Sequence, residues 1–284
     1  MNFYVYDPRI KWFDPAVNAA RTRGYNAGEL SDESGYCVFL PHANPTRLKE
    51  DQAFARTLNH VMITDLAQIE VYDNKRKQTA LWNKWMPETW VFTNKEEALS
   101  QNFDFPLISK ADVGASSYNV RLIENQNQLE EHVKIIFSKG LEVNHCDSMG
   151  TKSLQKGYVI LQRFIPHNVT YRVNLIGNAR AVFFRYNFPD RPMAQTGNVR
   201  PAKVYDDLAD LLDFTDQVNE DVQTKWCAFD ILKDGDSWRL LETSLRWPWP
   251  SPGDCDNGIF FNSGRKWIDM WEVLMDEVEA GVFV

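Results

Sequence analysis

The chain has 284 residues, 44% of them hydrophobic and 25% charged, which is enough apolar material for a sizeable core and too much for a disordered chain. Its formal charge of -8 opposes tight nonspecific binding to nucleic acid, because neutralising phosphates takes a surplus of Lys and Arg, although it leaves room for a local basic groove. No apolar run reaches the ~18 residues of a membrane span and no basic signal-peptide start is present, while Cys37, Cys146, Cys227 and Cys255 form no close pair of the zinc or redox kind; the expectation is a soluble, cytoplasmic protein with no membrane partner and mostly buried thiols.

In chain order, residues 2–6 read as a strand and a helical pattern through Val17, Ala20 and Arg21 ends near Gly24. A second strand over 35–40 leads to a polar helix over 45–59 with Asn44 as candidate cap, then to a short strand over 61–63. This alternation predicts a small parallel sheet. A helix over 75–85 stops at Pro87, and strands over 90–92, 105–110 and 119–123 alternate with helices over 95–99 and 126–138, the latter ending at Gly140. Residues 141–156 show no period and read as a mobile insertion. Strands over 158–165, 171–176 and 181–186 follow, the last two joined at Gly177-Asn178, which predicts an antiparallel sheet. An amphipathic helix over 204–222, a hairpin of 226–232 with 238–245 across Asp234-Gly235-Asp236, and a helix over 265–278 complete the chain.

Two acids interrupt the apolar strands of that hairpin: Asp230 in WCAFDIL and Glu242 in WRLLETS. A buried carboxylate needs a cation, so an acid in each of two adjacent strands calls for a shared partner. With an odd number of residues in the connecting turn the two project from one face as diagonal neighbours, a set of oxygens that suits Mg²⁺. The alternative stands level with it: Glu242 pairs with Arg239 or Arg246, and Asp230 faces solvent. The stretch SKADVGASSYNV, residues 109–120, puts Lys110 on a strand before a loop of small residues whose N–H groups can approach a phosphate; a plain hairpin connection reads the same way. Lys75, at a helix start after Tyr72-Asp73-Asn74, is unremarkable alone.

Taken in order, these pieces resemble the ATP-grasp superfamily, which includes D-alanine:D-alanine ligase, glutathione synthetase and the ribosomal-protein glutamate ligases. DNK, a helix and MPET look like the family's DK…P-x-T segment, FPLISKADVGASSYNV like its phosphate-binding element, GYVILQRFI like its hinge strand, and FDILKDGDSWRLLETS like its metal-binding hairpin. The resemblance implies an α/β (α+β) ATP-grasp fold: a pre-ATP-grasp βα domain over residues 1–86, a small lid lobe over 87–160 and a large lobe over 161–284. It implies ATP and Mg²⁺ as cofactors, with Lys75 and Lys110 on the α/β phosphates and Ser116 and Ser117 over the β/γ phosphates. Leu161, Gln162, Arg163 and Ile165 would line the adenine slot, largely through backbone groups; Asp230, Glu242 and Ser244 would hold the metal; Arg172 and Arg185 would face phosphate or a substrate carboxylate.

Three positions depart from the pattern. Glu242-Thr243-Ser244 stands where relatives carry Glu-x-Asn, so a hydroxyl or water replaces the amide ligand. Asn119 stands where a glycine is frequent, which a left-handed backbone would accommodate, and Val169-Thr170 offers no acid for the ribose. The implied activity is a carboxylate–amine ligase acting through an acyl-phosphate, its partners a small-molecule or peptide carboxylate and an amine. The alternatives are a kinase, a ligase acting on a nucleic-acid base or protein acceptor, and an ATP-binding module without turnover. His145-Cys146-Asp147 reads as a surface loop, and Trp247-Pro-Trp-Pro-Ser-Pro252 as either a pocket border or rigid packing.

Overall fold

A computed structural model describes the chain apart from residues 7–13, 43–44, 72–73, 114–118, 145–151, 188–193, 202–207 and 246–269, with backbone alone at 45–46, 183–187 and 194–201. The chain opens with β1 (Asn2–Tyr6), α1 (Asp14–Thr22), β2 (Asn26–Glu29), β3 (Tyr36–Phe39), α2 (Pro45–Ala55) and β4 (Val61–Met62). The strands form a parallel sheet in the order β2-β1-β3-β4, as βα alternation demands. Strand β2, Asn-Ala-Gly-Glu, carries no apolar run and was not expected. Asn44 lies outside the described residues. Two short helices, α3 (Leu66–Val71) and α4 (Lys75–Trp82), follow with a 3₁₀ turn at Asn83–Trp85, and Val71, Trp82 and the following Met86 pack with Val173, Leu211 and Phe229 rather than onto the parallel sheet.

The next unit comprises β5 (Thr89–Phe92), α5 (Lys95–Ser100), β6 (Leu107–Lys110), β7 (Val120–Ile123), α6 (Gln126–Ser138), β8 (Leu141–Asn144), β9 (Lys152–Gln155) and β10 (Val159–Arg163). Strands pair antiparallel as β5-β10-β6-β7, so the sheet runs past residue 160 and takes in the hinge strand. One face buries Leu107, Val159 and Leu161 against Leu129, Val133 and Ile136 of α6; that helix begins where the Asn125 side chain accepts the Gln128 N–H and ends before Gly140 at φ +83°. Within the expected insertion over 141–156, β8 and β9 pair as a two-stranded ladder, a pairing that two four-residue segments without alternation do not announce.

The last unit comprises β11 (Val169–Ile176), β12 (Ala179–Asn187), β13 (Ala194–Pro201), α7 (Leu208–Val222), β14 (Trp226–Asp234), β15 (Ser237–Ser244) and α8 (Met270–Glu279). Its antiparallel sheet runs β13-β12-β11-β14-β15. Residues of one face, Val173, Leu175, Phe229 and Ile231, pack on Leu211 and Val218 of α7. At one end of the other face Ile176, Ala181, Trp226 and Ala228 share a core with α8 and with Phe3, Val38 and Phe39 of the parallel sheet. At the Gly177-Asn178 turn the backbone has φ +59°, a conformation that favours glycine, and a Cβ there would displace the Glu277 carboxylate of α8, whose Oε2 would lie 2.3 Å away. Among the described residues no helix is long and apolar enough to cross a membrane.

Candidate active site

The geometry of the hairpin β14–β15 decides whether its acids meet. Asp234 pairs with Ser237 across a two-residue turn, and the register continues regularly to Ile231 opposite Leu240. An even turn carried on without a break would put Leu241 opposite Asp230 and turn Glu242 to the far face. Instead a β-bulge absorbs Leu241, and Glu242 pairs directly with Asp230. The acids are thus direct rather than diagonal cross-strand neighbours, and the extra residue sits in the strand rather than in the turn. Arg172 on β11 pairs with Asp230 from the other side, so Arg172, Asp230 and Glu242 form one row. Ser244 shares their face two residues beyond Glu242.

In this row Asp230 is buried and both its oxygens accept from Arg172, Nε at 2.6 Å and Nη2 at 2.6 Å. The solvent-facing alternative for Asp230 therefore fails. Burial works against the Arg172 cation, but the carboxylate beside it prevails and raises its pKa. Glu242 pairs with Lys75 Nζ at 3.2 Å, while Arg239 pairs with Asp234 at 3.4 Å; Arg246 lies outside the described residues.

Lys75 reaches Glu242 because α4 is held at its start and again one turn on. The Asn74 side chain caps the helix on the Lys77 N–H. The backbone N–H of Lys75 donates to the Asp112 carbonyl at 3.0 Å, and the Asp112 carboxylate accepts from Arg76 N at 2.9 Å and Nε at 2.5 Å. One turn on, the buried Gln78 amide accepts from Thr243 N at 3.0 Å and donates to Thr243 O at 3.1 Å, completing the edge strand β15 as a neighbouring strand would. Asp112 lies two residues after Lys110, so the same tether brings the second lysine in. Burial pushes the Lys110 ammonium down to about 8; Glu242 and Asp230 pull it up and Lys75 adds to the depression.

A cleft beside these charges is lined by Lys75, Met86, Lys110, Ile160, Gln162 and Leu241. The four residues expected to line the adenine slot do not share one surface. Strand β10 is an inner strand, so ladders on both edges occupy the backbone of residues 160–162, and the Leu161 side chain lies in the core beneath α6. Ile160 and Gln162 face the cleft instead, the Gln162 amide donating to Thr89 Oγ1 at 2.7 Å. Arg163 is turned to Asp234, Nη2 to Oδ2 at 2.5 Å, and Ile165 is buried with its carbonyl 2.7 Å from His167 Nδ1. Asn119 does not need a left-handed backbone: Gln223 is the one non-glycine residue with positive φ among those described. The Asn119 amide donates to Val113 O at 3.0 Å and Asn144 O at 2.6 Å, bracing the loop base against β8.

Ser116, Ser117, His145 to Asp147 and the Trp-Pro run lie outside the described residues, and Arg185 is placed by backbone alone, opposite Thr170. Cys37 and Cys227 are buried free thiols pushed up to about 12 by burial, which makes them inert at neutral pH. Sequence reasoning missed Ile160, Gln78 and Asp112. Gln78 was findable one helical turn from Lys75, whereas Ile160 sits in an apolar run that leaves its face undecided.

The fold compares with ATP-grasp ligases. A RimK domain ATP-grasp protein from Sphaerobacter thermophilus matches with TM-score 0.59 and 17% identity over 86% of this chain and 91% of its own. The D-alanine–D-alanine ligase of Bacillus anthracis matches at 0.60 and 9% over 99% and 97%. A RiPP-associated ATP-grasp ligase from Chryseobacterium gregarium, in complex with ADP and a leader and core peptide, matches at 0.59 and 12% over 86% and 89%. No protein-family model and no curated protein sequence matches the chain. The chain has the ATP-grasp fold, and its mixed α/β architecture is that of these structures.

Proposed function

We propose that the chain is an ATP-dependent ligase that activates a carboxylate by phosphoryl transfer and joins it to an amine. The observation that carries this reading is the meeting of four charges from separate segments: Lys75 and Lys110 line one cleft, Lys75 pairs with Glu242, Glu242 stands across from Asp230, and both carboxylates act on Lys110. The donor set fits Mg²⁺: two carboxylates side by side on one face, with no cluster of three His, Cys, Asp or Glu among the described residues, where Mg²⁺ takes one or two carboxylates and completes its shell with water and phosphate. Asp230 and Glu242, with Ser244 beside them, would hold the ion, which would screen phosphate charge. Lys75 and Lys110 bring two cations to the same place, and release of Glu242 from Lys75 frees both groups for their ligands. Arg172, held rigid by its bidentate pair, supplies fixed positive charge where a carboxylate becomes an acyl-phosphate and phosphate then departs. Catalysis on this account is positioning and electrostatics, without a protein nucleophile. The fold likeness to a ligase solved with its peptides supports a peptide as the acceptor or carboxylate partner.

The test is ADP release by the purified protein over amino acids, peptides, nucleosides and polyamines, with mass spectrometry of products. An acceptor-dependent product heavier by one condensation supports the ligase; phosphorylated product indicates a kinase, and bound nucleotide with no ADP release under any pair indicates a binding module.

A further inference from the structure

The parallel sheet has a point where its winding reverses. From β1 the chain passes to β2 on one side and then to β3 on the other, and in open sheets of this kind ligands bind outside the carboxyl ends of the two strands that flank such a reversal. Three side chains from different segments meet there: Tyr6 is the last residue of β1, His42 follows the end of β3, and Asp51 lies on α2. The Asp51 carboxylate accepts from Tyr6 Oη at 2.8 Å on one oxygen, and from His42 N at 2.6 Å and Nδ1 at 2.8 Å on the other. Burial and Asp51 both raise the Tyr6 pKa, so the phenol keeps its proton. The Asp51 side chain is buried, whereas that of His42 is 23% exposed. Phe54, whose ring lies 5.9 Å from that of Tyr6, is open to solvent.

A carboxylate oxygen only accepts, so His42 Nδ1 carries a proton and the neutral ring presents Nε2 as a lone pair. Among the described residues nothing bonds Nε2, and the one ion-pair partner of Asp51 is His42 itself. The dyad is thus a hydrogen-bond acceptor backed by a negative charge, with exposed aromatic surface at Phe54 nearby, a chemistry that suits an ammonium rather than an acid. It stands on the side of the large sheet that carries the charged row. Phe39, at the end of β3, shares a core with Ala228, which lies on the same face of β14 as Asp230, two residues before it. The ligase reading leaves one role unfilled, since an amine is protonated at neutral pH and the groups of the cleft are cations and metal-binding carboxylates. We infer that the carboxyl end of the parallel sheet binds the amine acceptor and that His42, oriented by Asp51, is the base that takes a proton from it. This rests on the ligase reading and assigns it a residue. The ammonium gives one proton to Nε2. The freed lone pair forms the C–N bond at the acyl carbon, the bond from that carbon to the phosphate oxygen breaks, and a second N–H proton leaves with phosphate. The imidazolium then returns its proton to water.

Two measurements on the full chain test it. The imidazole resonances of His42, assigned by their loss in His42→Gln, should shift with benzylammonium and not with benzoate, which has the same ring and the opposite charge. No shift with the amine, or an equal shift with the acid, overturns the inference and leaves the ligase reading standing. The second measurement uses MgATP, the panel of amino acids and peptides as carboxylates, and hydroxylamine, which is largely uncharged at neutral pH and traps an acyl-phosphate as a hydroxamate without a base. His42→Gln and His42→Ala should form hydroxamate as the wild type does, but couple any amine that the wild type accepts roughly a hundredfold more slowly. Equal losses with both nucleophiles, or none with either, overturn the assignment of His42 as the base. A wild type that forms no hydroxamate and releases no ADP removes the ligase reading and the base with it, whatever benzylammonium does at His42.

Discussion

Replacing Arg172 by methionine should destabilise the protein far more than replacing it together with its partner. The Arg172 and Asp230 side chains are 8% and 6% exposed, and the two 2.6 Å bonds between them use both carboxylate oxygens. Removing either member leaves the other as a charge with little access to water, at a cost of about 3–5 kcal/mol. The double variant Arg172→Met/Asp230→Leu strands no charge of this pair, and apolar replacement of similar volume should bring it to within about 1–2 kcal/mol of wild type. The coupling between the two positions should therefore exceed about 2 kcal/mol. Urea unfolding followed by tryptophan fluorescence reads all four proteins. If either single variant loses less than about 1 kcal/mol, or if the single losses simply add in the double, the pair is not the buried, mutually dependent unit described. ADP release, which depends on both groups under the ligase reading, should vanish in the double variant although its fold is restored.

Lys110 gives a pH signature. Its ammonium, with a pKa near 8, should attract phosphate fully below that pH and less above it, so MgADP affinity measured by calorimetry should fall between about pH 7 and about pH 9 in the wild type and stay level in Lys110→Arg, whose guanidinium keeps its proton. The sign for stability is opposite. An unfolded lysine holds its proton to 10.5, so between about 8 and 10.5 the unfolded state binds more protons and this residue's unfavourable contribution to folding fades as pH rises. Gln78→Leu strands the Thr243 N–H and C=O at the strand edge and should cost about 1–3 kcal/mol in urea unfolding, together with a weaker MgADP affinity that the remote surface change Gln126→Leu does not produce. Chelation of divalent metal should abolish ADP release, and Glu242→Gln should raise the Mg²⁺ concentration that restores it.

How far the sequence carries depends on whether a contact follows from local pattern. Carboxylates breaking apolar strands are conspicuous, so Asp230 and Glu242 were legible as a pair. Their register was not, because one extra residue inverts every face beyond it; the adjacent Leu240 and Leu241, which break alternation in WRLLE, are the trace the bulge leaves. The hinge strand was readable as a strand, but the apolar run Val159, Ile160, Leu161 hides which residues face inward. Strand β2 is Asn-Ala-Gly-Glu and β13 contains Gln-Thr-Gly-Asn, sequences with little strand propensity, each at the edge of its sheet, where pairing on one side is set by the neighbour rather than by the segment itself.

Helix α4 explains why two lysines 35 positions apart in the chain serve one cleft. At its first turn it is bound to the segment after β6 through the Asp112 carbonyl and carboxylate. At its next turn it is bound to β15 through both backbone groups of Thr243. Lys75 stands between these two attachments and meets Glu242, the residue before Thr243, while Lys110 stands two residues before Asp112. A displacement of α4 by the length of one hydrogen bond would separate Lys75 from Glu242 and shift the base of the strand that carries Lys110. The charges of the cleft are consequently held in register by the Gln78 amide, the Asp112 carboxylate and the Asp112 and Thr243 backbones, none of which needs to touch a ligand for its loss to weaken binding.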